Sequence, residues 1–479
     1  MPKTKVGSPA VLAALGIILA TGCVTEEQTA PAERPPNIVM IMIDDLGWTD
    51  LRVQGNDRLE TPSIDRLAAD GMRFTHNYAA APVCSPTRAA VITGLSPARL
   101  AITNHITGDQ DQFQPEGASL RAAEMFNHLT LDYVTIAERL KAGGYATAFL
   151  GKWHISGTND EMSTAEPGRR PEFQGFDVNI GGVSFGGPPS YFDPYQNPAI
   201  QDQTPGEYLT YRLADDTVAF IEENQEAPFF VALWPYTVHW PMEAPQELVE
   251  KYADRPGFAD YGDGVESSTR YAAMIEAMDG AIGRVLQKLD DLNLSEETLV
   301  IFTSDNGAYG GVTDLSPLRG VKGHLYEGGI RVPLIVRWPG QVEPGTISSE
   351  PVISMDFFPT ALQVAGLDEA PVIPLDGESL LPLLRQTGSL ERKAIYFHYP
   401  NYAFHGENRL AGAMREGDYK LIHFYDDDSV ELYDVVNDIG EKRDLSDEMP
   451  DKAAEMKADL ESWLETSGAK MPRPLEPRD

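Results

Sequence analysis

The amino-acid sequence predicts an α/β fold, with a large, mostly parallel central sheet flanked by helices and, from about residue 385, a small α+β subdomain. Short continuous apolar runs, too short for helices, recur along the chain, and each ends in charged or polar residues. Helical patterns separate them, as in 270–289, where Ala, Met, Ile and Leu recur at helical spacing. A chain of 479 residues with 42% hydrophobic content can also bury a core of that size.

The first element is not part of that core. Lys3 and Lys5 precede an apolar run from Val11 to Ala20, which suits a signal peptide and is too short to span a bilayer. Small residues before Cys23 resemble a bacterial lipobox, so residues 1–22 are expected to be removed and Cys23 to carry lipid; ordinary secretory cleavage is the alternative. Residues 23–36, rich in Glu, Gln, Thr, Ala and Pro, read as a flexible tether. The expected location is the bacterial periplasm or cell surface, with a lipid anchor to the membrane. Apart from Cys23 the only cysteine is Cys84, so no internal disulfide framework is expected. A formal charge of −35 repels nucleic acid, which is excluded as a partner. It leaves room for a small anionic substrate in a locally basic pocket.

Within the body, 37–43 is the first strand and ends in Asp44-Asp45. Residues 146–150 lead to Lys152 and His154, 229–233 to His239, and 299–303 to Asp305-Asn306. In an open α/β sheet the carboxyl edge is where ligands bind. Each ending is ordinary alone, since Asp-Asp and Asp-Asn-Gly are common turns and caps. Their shared position, together with Cys84, points to a site. Helices are predicted over 134–142, closed by Gly143-Gly144, and from Pro86 through Ala89, Ala90 and Val91. Residue 84 then lies at a helix N-terminus, which favours an anion, and Arg88 falls on the same face one turn on.

Asp44, Asp45, Asp305 and Asn306 make a hard oxygen-donor set, suited to Ca²⁺ or Mg²⁺ rather than Zn²⁺. Ca²⁺ is the expected ion and Mg²⁺ the second choice, with an atom of residue 84 completing the set. Lys152, Lys322, Arg88, His154 and His239 would surround an anionic group. The glycines around Lys322, from Arg319 to Gly323 and from Gly328 to Gly329, read either as close backbone approach at a functional loop or as a structural turn.

Cys84-Ser85-Pro86-Thr87-Arg88 fits the Cys-x-Pro-x-Arg signature of the formylglycine-dependent (type I) sulfatases, within the alkaline phosphatase-like superfamily, and the chain resembles that family over roughly 37–450. Gly144-Tyr145 through Gly151-Lys152-Trp153-His154 fits its second signature. Leu432-Tyr433-Asp434 to Arg443-Asp444-Leu445 resembles its C-terminal subdomain. The resemblance implies a sulfatase catalytic domain over 37–384, a subdomain over 385–470 and a loose tail over 471–479. It also implies that a maturation enzyme oxidises Cys84 to formylglycine, and modification before folding is expected because the folded site would bury the helix start. One hydroxyl of the formylglycine hydrate would attack sulfur, activated by the metal and Arg88, while His239 or Lys322 protonates the leaving oxygen. His154 would take the proton of the second hydroxyl so that sulfate is released. Lys152 and Lys322 would hold sulfate oxygens.

Specificity is expected from loops at the same edge. Asn104, His105, Trp240, His405 and Arg409 are the expected substrate contacts, with Phe185, Tyr191, Phe192 and Tyr195 in the Gly/Pro-rich stretch 181–198 either stacking on a sugar or packing the loop. A sulfated saccharide is the expected substrate. A phosphonate or phosphodiester hydrolase of the same superfamily is the alternative enzyme, and a non-catalytic glycan-binding lipoprotein the alternative from another class.

Overall fold

The computed structural model describes residues 1–10, 34–106, 114–157, 169–255, 265–367, 373–403 and 408–475. Cys23 and the expected signal and tether residues 11–33 lie outside the described residues, as does His405. Met1–Arg34 and Pro35–Asp479 are two separate units, and residues 1–10 of the first have no regular secondary structure. Among the described residues no helix is long and apolar enough to cross a membrane.

Eight strands form the central sheet: β1 (Asn37–Ile43), β2 (Met72–Phe74), β3 (Ala146–Gly151), β4 (Val178–Ile180), β5 (Phe229–Trp234), β6 (Thr298–Ser304), β7 (Leu334–Arg337) and β8 (Thr346–Ser348). Their order is β8-β2-β7-β6-β1-β5-β3-β4. The run β6-β1-β5-β3-β4 is parallel, while β7 is antiparallel to both β6 and β2. The sheet is therefore mostly parallel, as the unbroken apolar runs predict.

Those runs are unbroken because both sheet faces are covered. Val39, Ile41 and Ile43 of β1 enter one core with Val231, Leu233, Val300 and Phe302, against the helices Leu209–Asn224 and Val265–Asp291. Ile38, Met40 and Met42 point the other way, with Phe149, Phe230, Trp234 and Ile301, against the helices Cys84–Thr93, Ile136–Ala142 and Phe357–Val364. Thr135 and Glu138 close a capping box on the second of these, which starts it two residues later than its apolar pattern suggests.

β9 (Ala394–Tyr399), β10 (Ala411–Glu416), β11 (Tyr419–Phe424) and β12 (Val430–Asp434) make a four-stranded antiparallel sheet. Ile395, Phe397, Tyr399, Ala411 and Ile422 on one face pack with Tyr78, Val83 and Ala90, at the start of the Cys84–Thr93 helix. Met414, Leu421 and Leu432 on the other face meet the helix Pro450–Ser467. Part of the expected loose tail is not loose: Arg473–Pro474 pairs with Leu120–Arg121, and the Leu475 amide donates to the Ser119 carbonyl at 3.1 Å. Backbone pairing of this kind leaves no trace in composition.

Candidate active site

Neighbouring strands β6, β1, β5 and β3 deliver their carboxyl ends to one edge, and backbone hydrogen bonds stitch those ends together. The Asp44 amide donates to Thr237 O at 3.0 Å, Asp305 N to Ile43 O at 3.1 Å and Lys152 N to Trp234 O at 2.7 Å. Asp45 N donates to Asp305 Oδ1 at 3.2 Å. Asp45 and His154 both have left-handed backbones, with φ of 60° and 58°. Such conformations cost on the order of 1 kcal/mol each and persist where surrounding structure over-determines them.

Cys84 opens the buried helix Cys84–Thr93, after an extended Val83 and with Pro86 in its first turn, and Gly94 ends it at φ 70°. Flanking side chains fix this start. Ser85 Oγ donates to His154 O at 2.9 Å and accepts from Ile106 N at 3.0 Å, while Thr87 Oγ1 donates to Ala81 O at 3.2 Å. Cys84 Sγ lies 3.6 Å from Asp44 Oδ1.

Three carboxylates and three cations alternate around that sulfur. Arg88, fully buried, donates from Nε and Nη2 to Asp305 Oδ2 at 2.9 and 2.7 Å, and its Nη2 is 3.6 Å from Asp44 Oδ1. Lys152 Nζ donates to Asp44 Oδ2 at 2.7 Å, and Lys322 Nζ to Asp45 Oδ2 at 2.8 Å. His239 Nε2 is 3.8 Å from Asp45 Oδ2. Burial pushes the Asp44 carboxyl up to about 7 against the pull of Lys152. The same burial opposes ionisation of Asp45, but Lys322 and His239 outweigh it and hold the group low. Burial pushes the Cys84 thiol up to about 12, so the unmodified side chain is a neutral thiol and a poor nucleophile.

The residues fit a divalent cation. Ligand atoms of Asp44, Asp45, Cys84 and Asp305 all lie within 4.8 Å of one another. Asn306 Nδ2 donates to Asp45 Oδ1 at 2.7 Å and to Gly307 O at 2.9 Å, which leaves its Oδ1 buried without a hydrogen-bond partner. A buried acceptor without a donor is costly unless a cation completes it.

The two histidines present different nitrogens. His154 Nε2 is 2.9 Å from Ile106 O, so the proton sits on Nε2 and the buried Nδ1, which has no hydrogen-bond partner, keeps its lone pair. His239 Nδ1 is 2.8 Å from Trp240 O, which places its lone pair on Nε2, facing Asp45. Burial, reinforced by Lys152, holds both imidazoles well below their usual range. Sequence reasoning missed what aims them. A Cβ on Gly186 would lie 2.9 Å from His154 Nε2, and one on Gly187 would lie 2.9 Å from His239 Nδ1 and 2.7 Å from Trp240 O. The Tyr191 hydroxyl donates to His239 O at 2.9 Å. The Gly/Pro composition of 181–198 marked this loop, but no local signal identifies those two glycines.

Among the expected substrate contacts, Asn104 is buried beside the site and its Oδ1 accepts from the Tyr399 hydroxyl at 3.0 Å and the His105 amide at 3.0 Å. His105 is pushed down to about 3 by burial and by Lys322 and Lys152, which places it against the cationic side of the cluster. Trp240 is 37% exposed, edge-on to Tyr309 with ring centres 6.3 Å apart. Arg409 departs from expectation. It is paired with Asp426 and Asp427 and lies over Phe424, so its charge is neutralised by the β11–β12 connection and not directed at the cluster. Tyr191 and Tyr195 are fully buried and pack the loop, leaving no face for a sugar.

Residues 36–367 match the family profile described as Sulfatase, and residues 321–470 match N-sulphoglucosamine sulphohydrolase, C-terminal. A sulfatase of Formosa agariphila is 31% identical over 94% of this chain and 92% of its own length. Human arylsulfatase A is 34% identical over 82% of this chain and 75% of its own. The solved structure of Ps i-CgsB in complex with k-i-k-neocarrahexaose matches with a TM-score of 0.75 at 26% identity, covering 90% of this chain and 93% of that one.

Proposed function

The chain belongs to the sulfatase family and is a sulfuric ester hydrolase, and from that premise we propose that it removes sulfate from a saccharide using a formylglycine made from Cys84 and one divalent cation, Ca²⁺ before Mg²⁺. The observation that carries this reading is the position of residue 84. It starts a buried helix, 3.6 Å from Asp44, inside a ring of three carboxylates and three cations that includes the partnerless Asn306 Oδ1.

Asp44, Asp45, Asp305 and Asn306 would hold the cation, which when bound supplies Lewis-acid polarisation of a sulfate oxygen. Formylglycine supplies, as its hydrate, one hydroxyl for attack on sulfur and a second through which sulfate is later released. The remaining work falls to side chains already in place. Lys152 and Lys322 each contact a site carboxylate and would receive sulfate oxygens as negative charge builds on them. Arg88, hydrogen-bonded twice to Asp305 Oδ2, fixes the orientation of that carboxylate. His154 offers the bare Nδ1 that a base needs, beside a helix start to which Ser85 ties its own backbone. Lys322, an ammonium on Asp45, would deliver the proton to the departing alcohol, and His239 would do so only after its Nε2 gains a proton.

The carbohydrate assignment draws on the oligosaccharide held by the similar Ps i-CgsB structure and on Trp240, which exposes an aromatic face beside His239. Cys23 is read as the lipid-bearing end of an exported chain, matured by an enzyme that recognises 84–88.

Mass analysis of the peptide containing residue 84, paired with sulfate release from a panel of sulfated mono- and oligosaccharides, tests the proposal. The expected result is formylglycine at residue 84 and activity abolished by chelator and restored by Ca²⁺. Active protein carrying only free thiol, or release of phosphate but not sulfate from matched esters, would overturn it.

A further inference from the structure

A second cavity, ≈ 370 Å³ in volume, opens at the other end of the four-stranded sheet. Ala394 and Ile395 at the start of β9, the Gly417-Asp418 turn after β10, and His76 with Ser349 line it. Tyr399, at the far end of β9, is the residue that reaches Asn104 beside the catalytic cluster. At the usual strand rise the two ends of β9 are about 17 Å apart, so the cavity is not part of the catalytic pocket.

Its wall presents a guanidinium edge that no protein acceptor fills. Arg415 is 2% exposed; its Nε donates to Gly417 O at 3.1 Å and its Nη1 to the Tyr78 hydroxyl, while Nη2 has no hydrogen-bond partner among the described residues. Behind it lies a buried ionic group in which three cations, Arg331, Arg415 and Lys420, face two carboxylates, Glu327 and Glu441. Lys393 stands exposed at the rim with no ion pair among the described residues. Arg392 is paired with Asp356 behind the wall, and Glu350 and the exposed Asp418 supply the cavity's negative charge. The His76 imidazole, whose Nδ1 is 2.8 Å from Ser349 O, is pushed down to about 4 by burial and by the guanidinium groups of Arg415 and Arg331. In a chain of net charge −35, a concave surface with a free guanidinium edge and a free ammonium is unusual.

We infer that this cavity binds a tetrahedral oxyanion on Arg415 and Lys393, either free sulfate or a sulfate group carried on a saccharide. The choice of sulfate rests on the function proposed above; the cavity's affinity for an oxyanion does not.

Crystals of the full chain soaked in selenate, which scatters anomalously, test this, because a difference map separates the two positions. The expected result is one peak at the catalytic cluster and a second within hydrogen-bond distance of Arg415, with a Kd of about 1 mM or tighter. Lys393→Glu reverses an exposed charge without touching the core; it should keep the melting temperature and the catalytic peak and weaken the second by roughly tenfold or more. A soak with a sulfated oligosaccharide assigns the source: sugar density continuing from the second peak means an ester, and an isolated peak means the free ion. A catalytic peak with nothing at Arg415, or a second peak undiminished in K393E, would overturn the proposal and leave the hydrolase reading intact.

Discussion

Arg88→Met isolates the electrostatic frame of the site. The substitution keeps most of the side-chain stem and removes the guanidinium, which is fully buried and gives two hydrogen bonds of 2.9 and 2.7 Å to Asp305 Oδ2 and a third to Lys152 O at 2.5 Å. Three buried carboxylates then face two ammonium groups in place of three cations. Removing one partner from a buried ion pair costs about 3–5 kcal/mol, because a charge is left uncompensated. Scaled to a chain of this length, roughly 1–2 °C per kcal/mol gives a melting temperature lower by about 3–10 °C. A cation held by Asp44, Asp45, Asp305 and Asn306 sees a more negative cluster in the variant, so excess Ca²⁺ should stabilise R88M more than the parent. The assay is thermal unfolding of both proteins in excess Ca²⁺ and in excess chelator, and the gap between them should be larger in chelator. A loss below about 1 kcal/mol, or an equal gap in both buffers, would refute the argument that Arg88 balances the same carboxylates that hold the ion.

Asn306→Leu removes the buried carboxamide oxygen that has no donor beside the three carboxylates, and Ca²⁺ affinity read by calorimetry should fall by roughly tenfold or more. Gly187→Ala places a Cβ 2.7 Å from Trp240 O and 2.9 Å from His239 Nδ1, so kcat should fall by on the order of 10²-fold with KM little changed; full activity would show that the loop yields freely. Glu441 gives a pH signature. Burial raises its carboxyl from 4.5 to about 7, so the folded state binds the proton more tightly than the unfolded state. The stability this supplies is complete below the unfolded pKa and is lost as pH rises toward 7, by on the order of 1–3 kcal/mol. Glu441→Gln should flatten unfolding free energy against pH between those values, and an unchanged slope would assign the titration elsewhere.

The parts of this molecule legible in its sequence are those whose environment repeats along the chain. β1, β3, β5 and β6 are covered on both faces, so their middles are continuously apolar on both sides and the runs stand out; their polar endings then mark the sheet edge where Asp44, Lys152, His239 and Asp305 meet. β10, with the sequence AGAMRE, was missed because small and charged residues hide a strand whose faces meet two different neighbours. The three-residue strands β2 and β8 are too short to show a period. Within the site, residue type marked the candidate ligands, but partners distant in sequence decide the details. Arg409 carries the expected charge, yet Asp426 and Asp427 pair with it, and no local pattern announces that pairing. Gly186 and Gly187 matter only because two imidazoles from other strand ends come to rest on them.

The four-stranded sheet that closes over Val83 and Ala90 is made from residues more than 300 positions after Cys84. Until residues near 434 emerge, the segment around Cys84 lacks one of its walls, and under the proposed maturation an enzyme acting on that thiol would find it most accessible in this interval. At about 5–20 residues per second, the stretch from residue 84 to the end of β12 takes on the order of 20–70 s. Slow passage through this stretch would lengthen the interval and early closure would shorten it, so the share of chains that mature becomes a kinetic quantity. Two preparations with identical sequence and identical folds could then differ in specific activity according to how fast each was made.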